Sequence, residues 1–394
     1  MAATISVSFV VCAAIIAFLL RTRLAWLIAT DVPNSRSLHA APVPRVGGWG
    51  LVPAALIGGS ISIAHDGLVI AVTVVLFVVS YADDRLGLPI LLRLSAHAAV
   101  AALWLAAGPL ELPIAVAVMA AFAMVWITNL FNFMDGADGL AGGMALFAFG
   151  VYAAVAVSVG VTPLASWSAA IAAASAGFLL FNFSPARVFL GDAGSVTIGF
   201  FAGAFGIWGW AAGAWPVWFP FLVSAPFFLD ATVTILRRMI SGESFWQAHR
   251  EHYYQRLIRS GWTHRRTALC EYLLMAASAG LAVAMLGWVP EAQYAGLAAA
   301  ALVYVVLAYA IDRRWTEFRG AAAASALPPP VTRKGAATHK PDASRITTQQ
   351  DGFIGEAMKA AQRTAAAEAA TLRREQRQRI SADERVYEHD SERR

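Results

Sequence analysis

The stretch LPIAVAVMAAFAMVWITNLFNFMDGADGLA, residues 112–141, decides the fold class of this chain. It begins as an apolar run that is long enough to cross a bilayer as a helix, and it ends with Asn129, Asn132, Asp135 and Asp138. Backbone groups inside a bilayer must satisfy one another, so the run is expected to be helical. Carboxylates are costly near hydrocarbon, and a group of them at the end of a span therefore indicates a functional site.

The whole chain has the composition of a membrane protein. Of its 394 residues, 58% are hydrophobic and only 14% are charged, and the mean hydropathy is +0.59. These values exclude an ordinary soluble domain and indicate a polytopic membrane protein. The two cysteines lie in apolar runs and show neither a disulfide framework nor a zinc spacing. We interpret the first apolar run as a retained span, because no basic region precedes it.

Apolar runs recur along most of the chain. Their number and length predict an all-α polytopic integral membrane protein with about eleven transmembrane helices. The predicted spans are 4–20, 46–64, 68–82, 90–107, 112–129, 140–160, 163–182, 195–211, 214–236, 267–288 and 292–311.

The distribution of Lys and Arg predicts the orientation of these spans. If the N-terminus is outside, all 30 Lys and Arg lie on the inner side or at inner helix ends, and the outer connections carry only acidic charges. Inner loops are enriched in basic residues, so an outside N-terminus and a cytoplasmic C-terminus are predicted. With this orientation, five loops lie on the cytoplasmic face, and each carries more polar residues than a simple turn needs. They are 21–45, 83–89, 130–139, 183–194 and 237–266.

The chain divides into an apolar part, 1–315, and a polar tail, 316–394. Residues 320–338 are rich in Ala, Pro and basic residues, which is typical of a linker. Residues 351–380 contain helix-forming residues but few large apolar ones. They predict a marginal surface helix within a largely disordered cytoplasmic tail.

Acidic side chains in the inner loops indicate a metal-dependent phosphate site. Asp83 and Asp84 directly follow a span, and adjacent carboxylates favour a nearby cation. Mg²⁺ suits this position because it takes carboxylate and phosphate oxygens together. The polar residues of 129–138 are spaced three apart, which places their oxygens along one face of a helix end. The alternative is a capped helix start with Asp138 as the N-cap.

Two further loops carry candidate ligands. Asp192 lies in the segment 191–195, Gly-Asp-Ala-Gly-Ser, just before a span, where backbone N–H groups at a helix N-terminus favour phosphate. Phe189 could stack on a base, although an isolated Phe is more often part of a core. His249 and His252 suit either zinc, for which a third ligand is missing, or phosphate binding by His and Arg donors. A solvated basic loop is the third interpretation.

Taken in order, these motifs resemble the polyprenyl-phosphate N-acetylhexosamine-1-phosphate transferases, which include the MraY-like and WecA-like enzymes. The matching segments are 31–48, 83–84, 129–141, 182–195 and 249–252. The resemblance implies transfer of a sugar-1-phosphate from a UDP-sugar to undecaprenyl phosphate, with release of UMP. It implies a requirement for Mg²⁺, with Mn²⁺ as an alternative, and a site on the cytoplasmic face of the bacterial inner membrane.

The resemblance also implies roles for individual residues. Asp192 and Asn132 are the implied metal ligands, and Asp83 and Asp84 are the candidates for assisting the lipid phosphate. The uridine is expected near Asn182, Phe189 and Asp138, and the diphosphate and sugar near the histidines. The full catalytic set is Asp83, Asp84, Asp135 and Asp192, and the substrate-binding set is Asn129, Asp138, Asn182, Phe189, Arg45, His249, Arg250 and His252.

One departure from the family pattern bears on the substrate. The MraY-like branch, which uses a muramyl-pentapeptide nucleotide, carries a Pro-x-His-His-His run, whereas residues 248–254 here read Ala-His-Arg-Glu-His-Tyr-Tyr. This favours the O-antigen-initiating branch, with UDP-GlcNAc, UDP-QuiNAc or UDP-FucNAc types as donors, over a peptidoglycan enzyme. No nucleic-acid partner is expected, and the resemblance leaves a homodimer open.

Three alternatives come from other classes. A CDP-alcohol phosphotransferase pattern opens like residues 135–139, but its Arg is missing after Ala141. A transporter or channel requires charges at mid-membrane depth, whereas the acids here lie at inner helix ends. A lipid-carrier binding protein without activity is the third alternative, and it disagrees with the presence of every acidic motif.

Overall fold

The computed structural model describes residues 1–31, 33, 38–39, 41–62, 67–108, 110–244 and 249–326. In these residues the fold is almost wholly helical, which confirms the predicted fold class. The helices are α1 (Ala2–Arg21), α2 (Leu24–Ile28), α3 (Gly47–Ser62), α4 (Gly67–Leu86), α5 (Ile90–Ala107), α6 (Ile114–Phe133), α7 (Leu140–Ser158), α8 (Thr162–Asn182), α9 (Asp192–Ala211), α10 (Phe219–Val223), α11 (Ala225–Ile240), α12 (Tyr253–Arg259), α13 (His264–Met285) and α14 (Pro290–Ala326).

Nine helices in the described part of the chain are long and apolar enough to cross a membrane, namely α1, α4 to α9, α13 and α14. The other two predicted spans correspond to shorter helices. The first is α3, with 16 residues. The second, predicted at 214–236 as one helix, is divided at Ser224 into α10 and α11. That prediction is corrected because Pro226 lies in the first turn of α11, and proline cannot continue a preceding helix.

The first inner loop contains a short antiparallel ribbon that was not predicted. Its strands are β1 (Thr30–Asp31) and β2 (Val43–Pro44), with Asp31 opposite Val43. The N–H of Arg45 donates to the carbonyl of Ala29 at 2.9 Å and extends the pairing. The ribbon and this hydrogen bond therefore fix the backbone at Asp31 and at Arg45.

The protein core lies around α8 and α9, whose residues are buried on nearly all sides. The indole of Trp104 in α5 packs against aromatic rings of α9, which are Phe200, Phe201, Phe205 and Trp208. By contrast, large apolar side chains of α14 such as Leu302 and Val305 are exposed, as expected of a lipid-facing helix. Because α9 begins at Asp192, its packing in the core also fixes the position of that carboxylate.

The long helix α14 supports the last inner loop. Its Asp312 forms ion pairs with Arg237 of α11 and with Arg256 of α12, the latter at 2.6 Å. The helix continues to Ala326, beyond the predicted boundary at residue 315. The rest of the predicted tail, including the surface helix at 351–380, lies outside the described residues.

Truncation after Ala326 is expected to leave activity close to that of the full chain, because the ion pairs of Asp312 are retained. Truncation after Tyr309 removes Asp312 and leaves Arg237 and Arg256 without it, so activity is expected to fall strongly. The measurement is turnover of the two purified truncations at matched concentration. Loss of activity in a folded chain that ends at Ala326 would show that the tail takes part in catalysis.

Candidate active site

The inner-loop motifs meet at one end of the helix bundle and enclose a polar cleft of about 300 Å³. Successive long helices run in opposite directions, so the ends of α4, α6 and α8 and the starts of α3, α7, α9 and α13 come together. The predicted residues that line the cleft are Arg45, Asn132, Asp135, Asp138, Asn182, Phe189 and Asp192. Gln255 and His264, which the sequence interpretation missed, line it too.

The starts of α3 and α9 approach closely because glycines face each other. Gly47 and Gly48 donate their N–H groups to the carbonyls of Phe189 and Leu190, at 2.8 and 2.9 Å. A Cβ atom on Gly48 would lie only 2.6 Å from the backbone nitrogen of Gly194. Glycine is therefore required here to bring the first and fourth inner loops into contact.

Asp84 caps the start of α9. Its Oδ2 accepts the N–H of Asp192 at 3.2 Å, and its Oδ1 lies 3.4 Å from Nη1 of Arg45. The same arginine pairs through Nη2 with Asp31 at 3.0 Å. A carboxylate thus occupies the helix N-terminus that was expected to bind phosphate. The side chain of Asn132 lies close to the carboxylate of Asp192 on the wall of the cleft, so the two predicted metal ligands are neighbours.

Asp135 lies beside this pair, near the backbone N–H of Gly191. Burial raises the pKa of Asp135 well above its usual value, and the nearby charges of Asp192 and Asp84 raise it further. Arg45 only partly opposes this effect. The carboxylates therefore form a centre in which a bound cation would stabilise the ionised state of Asp135.

The donors at this centre fit Mg²⁺ better than zinc. Within the described ranges, no three His, Cys, Asp or Glu side chains are close enough together to hold a metal ion. Mg²⁺ usually keeps several waters and takes one or two protein ligands together with substrate phosphates. Asp192 and Asn132 suit that arrangement. The zinc interpretation of His249 and His252 finds no third protein ligand in the described residues.

Asp83 points away from its neighbour Asp84. Its Oδ1 accepts the N–H of Leu88 at 2.8 Å, and its Oδ2 lies 2.8 Å from Nη1 of Arg93. The two adjacent carboxylates are therefore separated, and each pairs with a different arginine. Arg93 was not among the predicted site residues. Arg93 is a charged residue in the first turn of an apolar helix, as Asp192 is. That position could have indicated from the sequence that Arg93 belongs to the site.

A second cavity of about 500 Å³, here called the membrane groove, lies between α4, α5, α6, α9 and α11. Its walls are mostly apolar, and its polar lining residues are Ser80, Asp83, Arg93, His97, Asn129, Asn132, His249, His252 and Gln255. Asn129 donates its amide to the carbonyl of Val125 at 2.7 Å, and its side chain lines this groove rather than the polar cleft. Asn132 and Gln255 line both the groove and the cleft, so the two spaces meet there.

The histidine motif is held by Asp230 of α11. The buried carboxylate of Asp230 accepts the N–H groups of Tyr253 and Tyr254, at 2.8 and 3.1 Å. Its Oδ1 also lies 3.3 Å from Nδ1 of His252. The side chain of Gln255 completes a capping box with His252 at the start of α12. Asp230 therefore orients His252, whose ring borders the membrane groove.

His249 lies beside His252, with ring centroids 4.9 Å apart. Burial lowers the pKa of His249 to about 4, and the neighbouring His252 and Arg238 lower it too. His249 is therefore neutral near pH 7, so its ring can offer a hydrogen bond but not a positive charge. The carbonyl of Arg250 accepts Nη1 of Arg259 at 2.8 Å, which ties this loop to α12.

The two sides of the predicted uridine region differ. Asn182 is engaged by the protein, because its Oδ1 accepts the N–H of Gly139 and its Nδ2 donates to the carbonyl of Val188, both at 2.9 Å. Phe189 contacts the ring of His39 edge-on, with centroids 4.8 Å apart, and lines the cleft. Asn182 thus positions the loops, while Phe189 is placed to touch a ligand.

Asp138 connects three inner loops. Its Oδ2 accepts the N–H of Ala186 at 3.1 Å, and its Oδ1 lies 3.3 Å from Nδ1 of His264. Burial alone would raise the pKa of Asp138, but the hydrogen bond from His264 and the charge of that ring hold it below its usual value. The Nε2 of His264 also contacts the carbonyl of Leu38 at 3.2 Å. The start of α13 is thereby fastened to the cleft.

Comparisons with known proteins now identify the family. Residues 67–209 match the family model of glycosyl transferase family 4. An undecaprenyl-phosphate alpha-N-acetylglucosaminyl 1-phosphate transferase of Yersinia pestis is 30% identical over 318 residues, 72% of this chain and 84% of that protein. The chain belongs to glycosyl transferase family 4. This membership confirms the resemblance predicted from the five motifs.

Two further relatives come from other bacteria. A decaprenyl-phosphate N-acetylglucosaminephosphotransferase of Mycobacterium tuberculosis is 30% identical over 295 residues, 62% of this chain and 72% of that protein. A probable undecaprenyl-phosphate N-acetylglucosaminyl 1-phosphate transferase of Bacillus subtilis is 28% identical over 268 residues, 62% and 74% of the two chains. Together with the apolar helices, these matches make this family 4 protein a multi-pass membrane sugar-phosphate transferase.

Proposed function

We propose that this protein transfers N-acetylhexosamine-1-phosphate from a UDP-sugar to undecaprenyl phosphate and releases UMP. The product is the first lipid-linked intermediate of a cell-surface polysaccharide of the O-antigen type, made on the cytoplasmic face of the inner membrane. The names of the relatives, which include polyprenyl phosphates, support this reaction. The observation that carries the proposal is the meeting of a polar cleft and an apolar groove at Asn132 and Gln255.

The cleft suits the nucleotide donor. Phe189 offers a ring to the base, and Arg45 offers a guanidinium to the diphosphate. Asp192 and Asn132 would hold Mg²⁺, or Mn²⁺ in its place. When bound, the ion would neutralise phosphate charge and polarise the phosphoryl group that is transferred.

The membrane groove suits the lipid acceptor. Its apolar walls match a prenyl chain, and Arg93 supplies a positive charge for the phosphate. A phosphate monoester has a second pKa of about 6 and is largely dianionic at pH 7, so it needs little help from a general base. Asp83 is already bound to Leu88 and Arg93. Its proposed role is therefore to orient Arg93 rather than to remove a proton.

Transfer would occur where the cleft and the groove meet. An oxygen of the lipid phosphate attacks the sugar-bearing phosphorus, and the bond from that phosphorus to the oxygen of UMP breaks in line with the attack. Both reactants are anionic, so fixed positive groups are needed to bring them together. The neutral His249 and the Asp230-bound His252 border this junction as hydrogen-bonding groups.

A donor panel tests the proposal. Purified protein with undecaprenyl phosphate, Mg²⁺ and separate UDP-N-acetylhexosamines is expected to release UMP with one donor or a few. EDTA is expected to abolish the release, and Mg²⁺ or Mn²⁺ to restore it, because two protein ligands hold the ion only together with the substrate. UMP release that is unaffected by EDTA would contradict the metal assignment. No release with any donor of this class would contradict the proposed substrates.

A further inference from the structure

Two buried nitrogen atoms of α5 on the wall of the membrane groove have no hydrogen-bond partner among the described residues. The Nε of Arg93 and the Nδ1 of His97 are both buried without a hydrogen bond to any described residue. Both side chains line the groove. Because nearly all buried polar atoms in proteins are hydrogen-bonded, the two atoms mark a place where a ligand supplies partners. The Nε–H of Arg93 needs an acceptor, and His97 has one ring N–H that can donate as well.

Their arrangement on α5 sets the order in which a ligand meets them. Arg93 and His97 are four residues apart, so they lie on the same face, with His97 one turn further from the inner end of the helix. The Nη1 of Arg93 already binds Asp83 at 2.8 Å, which leaves its Nε for the groove. His97 is only 5% exposed and therefore belongs to the deeper, drier part of the wall.

A third residue of α5, Trp104, shows that an unpartnered nitrogen alone does not indicate a ligand site. The indole Nε1 of Trp104 is also buried without a partner in the described part of the chain. Its ring, however, packs against aromatic side chains of α9 and is not among the residues that line the groove. Trp104 is thus a core residue, whereas His97 faces a cavity.

We propose that His97 donates a hydrogen bond from a ring N–H to the polyprenyl phosphate head group, at the ester oxygen that joins the phosphate to the first isoprene unit. This inference rests on the proposed role of the groove as the acceptor site. Arg93 binds the charged oxygens nearer the membrane surface, and His97 binds the deeper oxygen next to the apolar chain. Together they recognise a phosphate that carries a hydrocarbon tail.

The test compares His97→Leu, His97→Gln and Trp104→Phe in the full chain. In His97→Leu, KM for undecaprenyl phosphate is expected to rise about tenfold, which corresponds to about 1.4 kcal/mol, while KM for the nucleotide donor stays unchanged. His97→Gln keeps an N–H donor of similar reach and is expected to restore most of the affinity. Trp104→Phe removes an equally buried N–H from the same helix and is expected to leave both KM values unchanged.

A binding measurement without the donor separates the possible failures. The Kd of undecaprenyl phosphate for wild type and variants in nanodiscs is expected to follow the same order as KM. If wild type turns over and binds the lipid but His97→Leu does so equally well, the role of His97 is wrong and the proposed function stands. If KM for both substrates rises together with a fall in Tm, His97 is a structural residue. If wild type neither binds nor uses the lipid, the proposed function itself fails.

Discussion

Replacing Asp192 with asparagine is expected to reduce UMP release by about 10³-fold or more, because it removes the carboxylate that we propose as a metal ligand in the cleft. The variant should still fold. The backbone N–H of Asp192 that donates to Asp84 is unchanged, and asparagine has nearly the same shape as aspartate. Turnover of the purified variant at saturating Mg²⁺, measured alongside its Tm, checks this expectation.

A matched substitution isolates the effect of the charge. Glu317→Gln makes the same chemical change in an exposed i,i+4 pair with Arg313 on α14, where an ion pair contributes little. It is expected to leave turnover and Tm unchanged. If Asp192→Asn kept most of the wild-type turnover, Asp192 would not be a metal ligand.

The second large effect is expected from Asp230→Ala. This change leaves the buried N–H groups of Tyr253 and Tyr254 without their acceptor, and each such loss costs about 1–3 kcal/mol. The negative charge at the start of α12 is also lost, and with it the stabilising interaction with the positive end of the helix dipole. His252 then has no carboxylate to orient it. We expect a clear fall in Tm together with a loss of turnover of about 10²-fold.

Two further variants separate stability from catalysis. Asp230→Asn keeps one oxygen acceptor for α12 but loses the charge beside His252. Its Tm should therefore fall less than that of Asp230→Ala, while its turnover should still be clearly reduced. Glu243→Gln removes the charge of an exposed partner of Arg238 and should change neither quantity. If Asp230→Ala retained the Tm and the turnover of wild type, Asp230 would not position the histidine motif.

The general architecture could be predicted because the membrane imposes it. A bilayer requires apolar runs of a certain length, and each of the eleven predicted blocks corresponds to described helical structure. The alternation of antiparallel helices also explains why Asp84, Asn132 and Asp192, far apart in sequence, meet at one end of the bundle. The break at Ser224 escaped the prediction because hydropathy does not register the effect of Pro226 on the helix.

The pairing of the site residues could not be predicted, because it depends on contacts between loops. Their adjacency suggested a shared cation for Asp83 and Asp84, which were expected to follow the span. Both instead lie in the last turn of α4, where successive side chains point in different directions, and they pair with Arg93 and Arg45 separately. Gln255 falls in the predicted loop 237–266, and it becomes part of the site only through the position of α12. No periodicity in the sequence contains that information.

The identity of the released nucleotide tests the central claim most directly. Purified protein, undecaprenyl phosphate, Mg²⁺ and an accepted UDP-sugar should yield UMP and a lipid whose mass includes the sugar and a pyrophosphate. That pair of products requires cleavage between the two phosphates of the donor, as the meeting of cleft and groove at Asn132 and Gln255 suggests. Release of UDP with a lipid monophosphate sugar would mean that the sugar alone is transferred, and it would contradict the account.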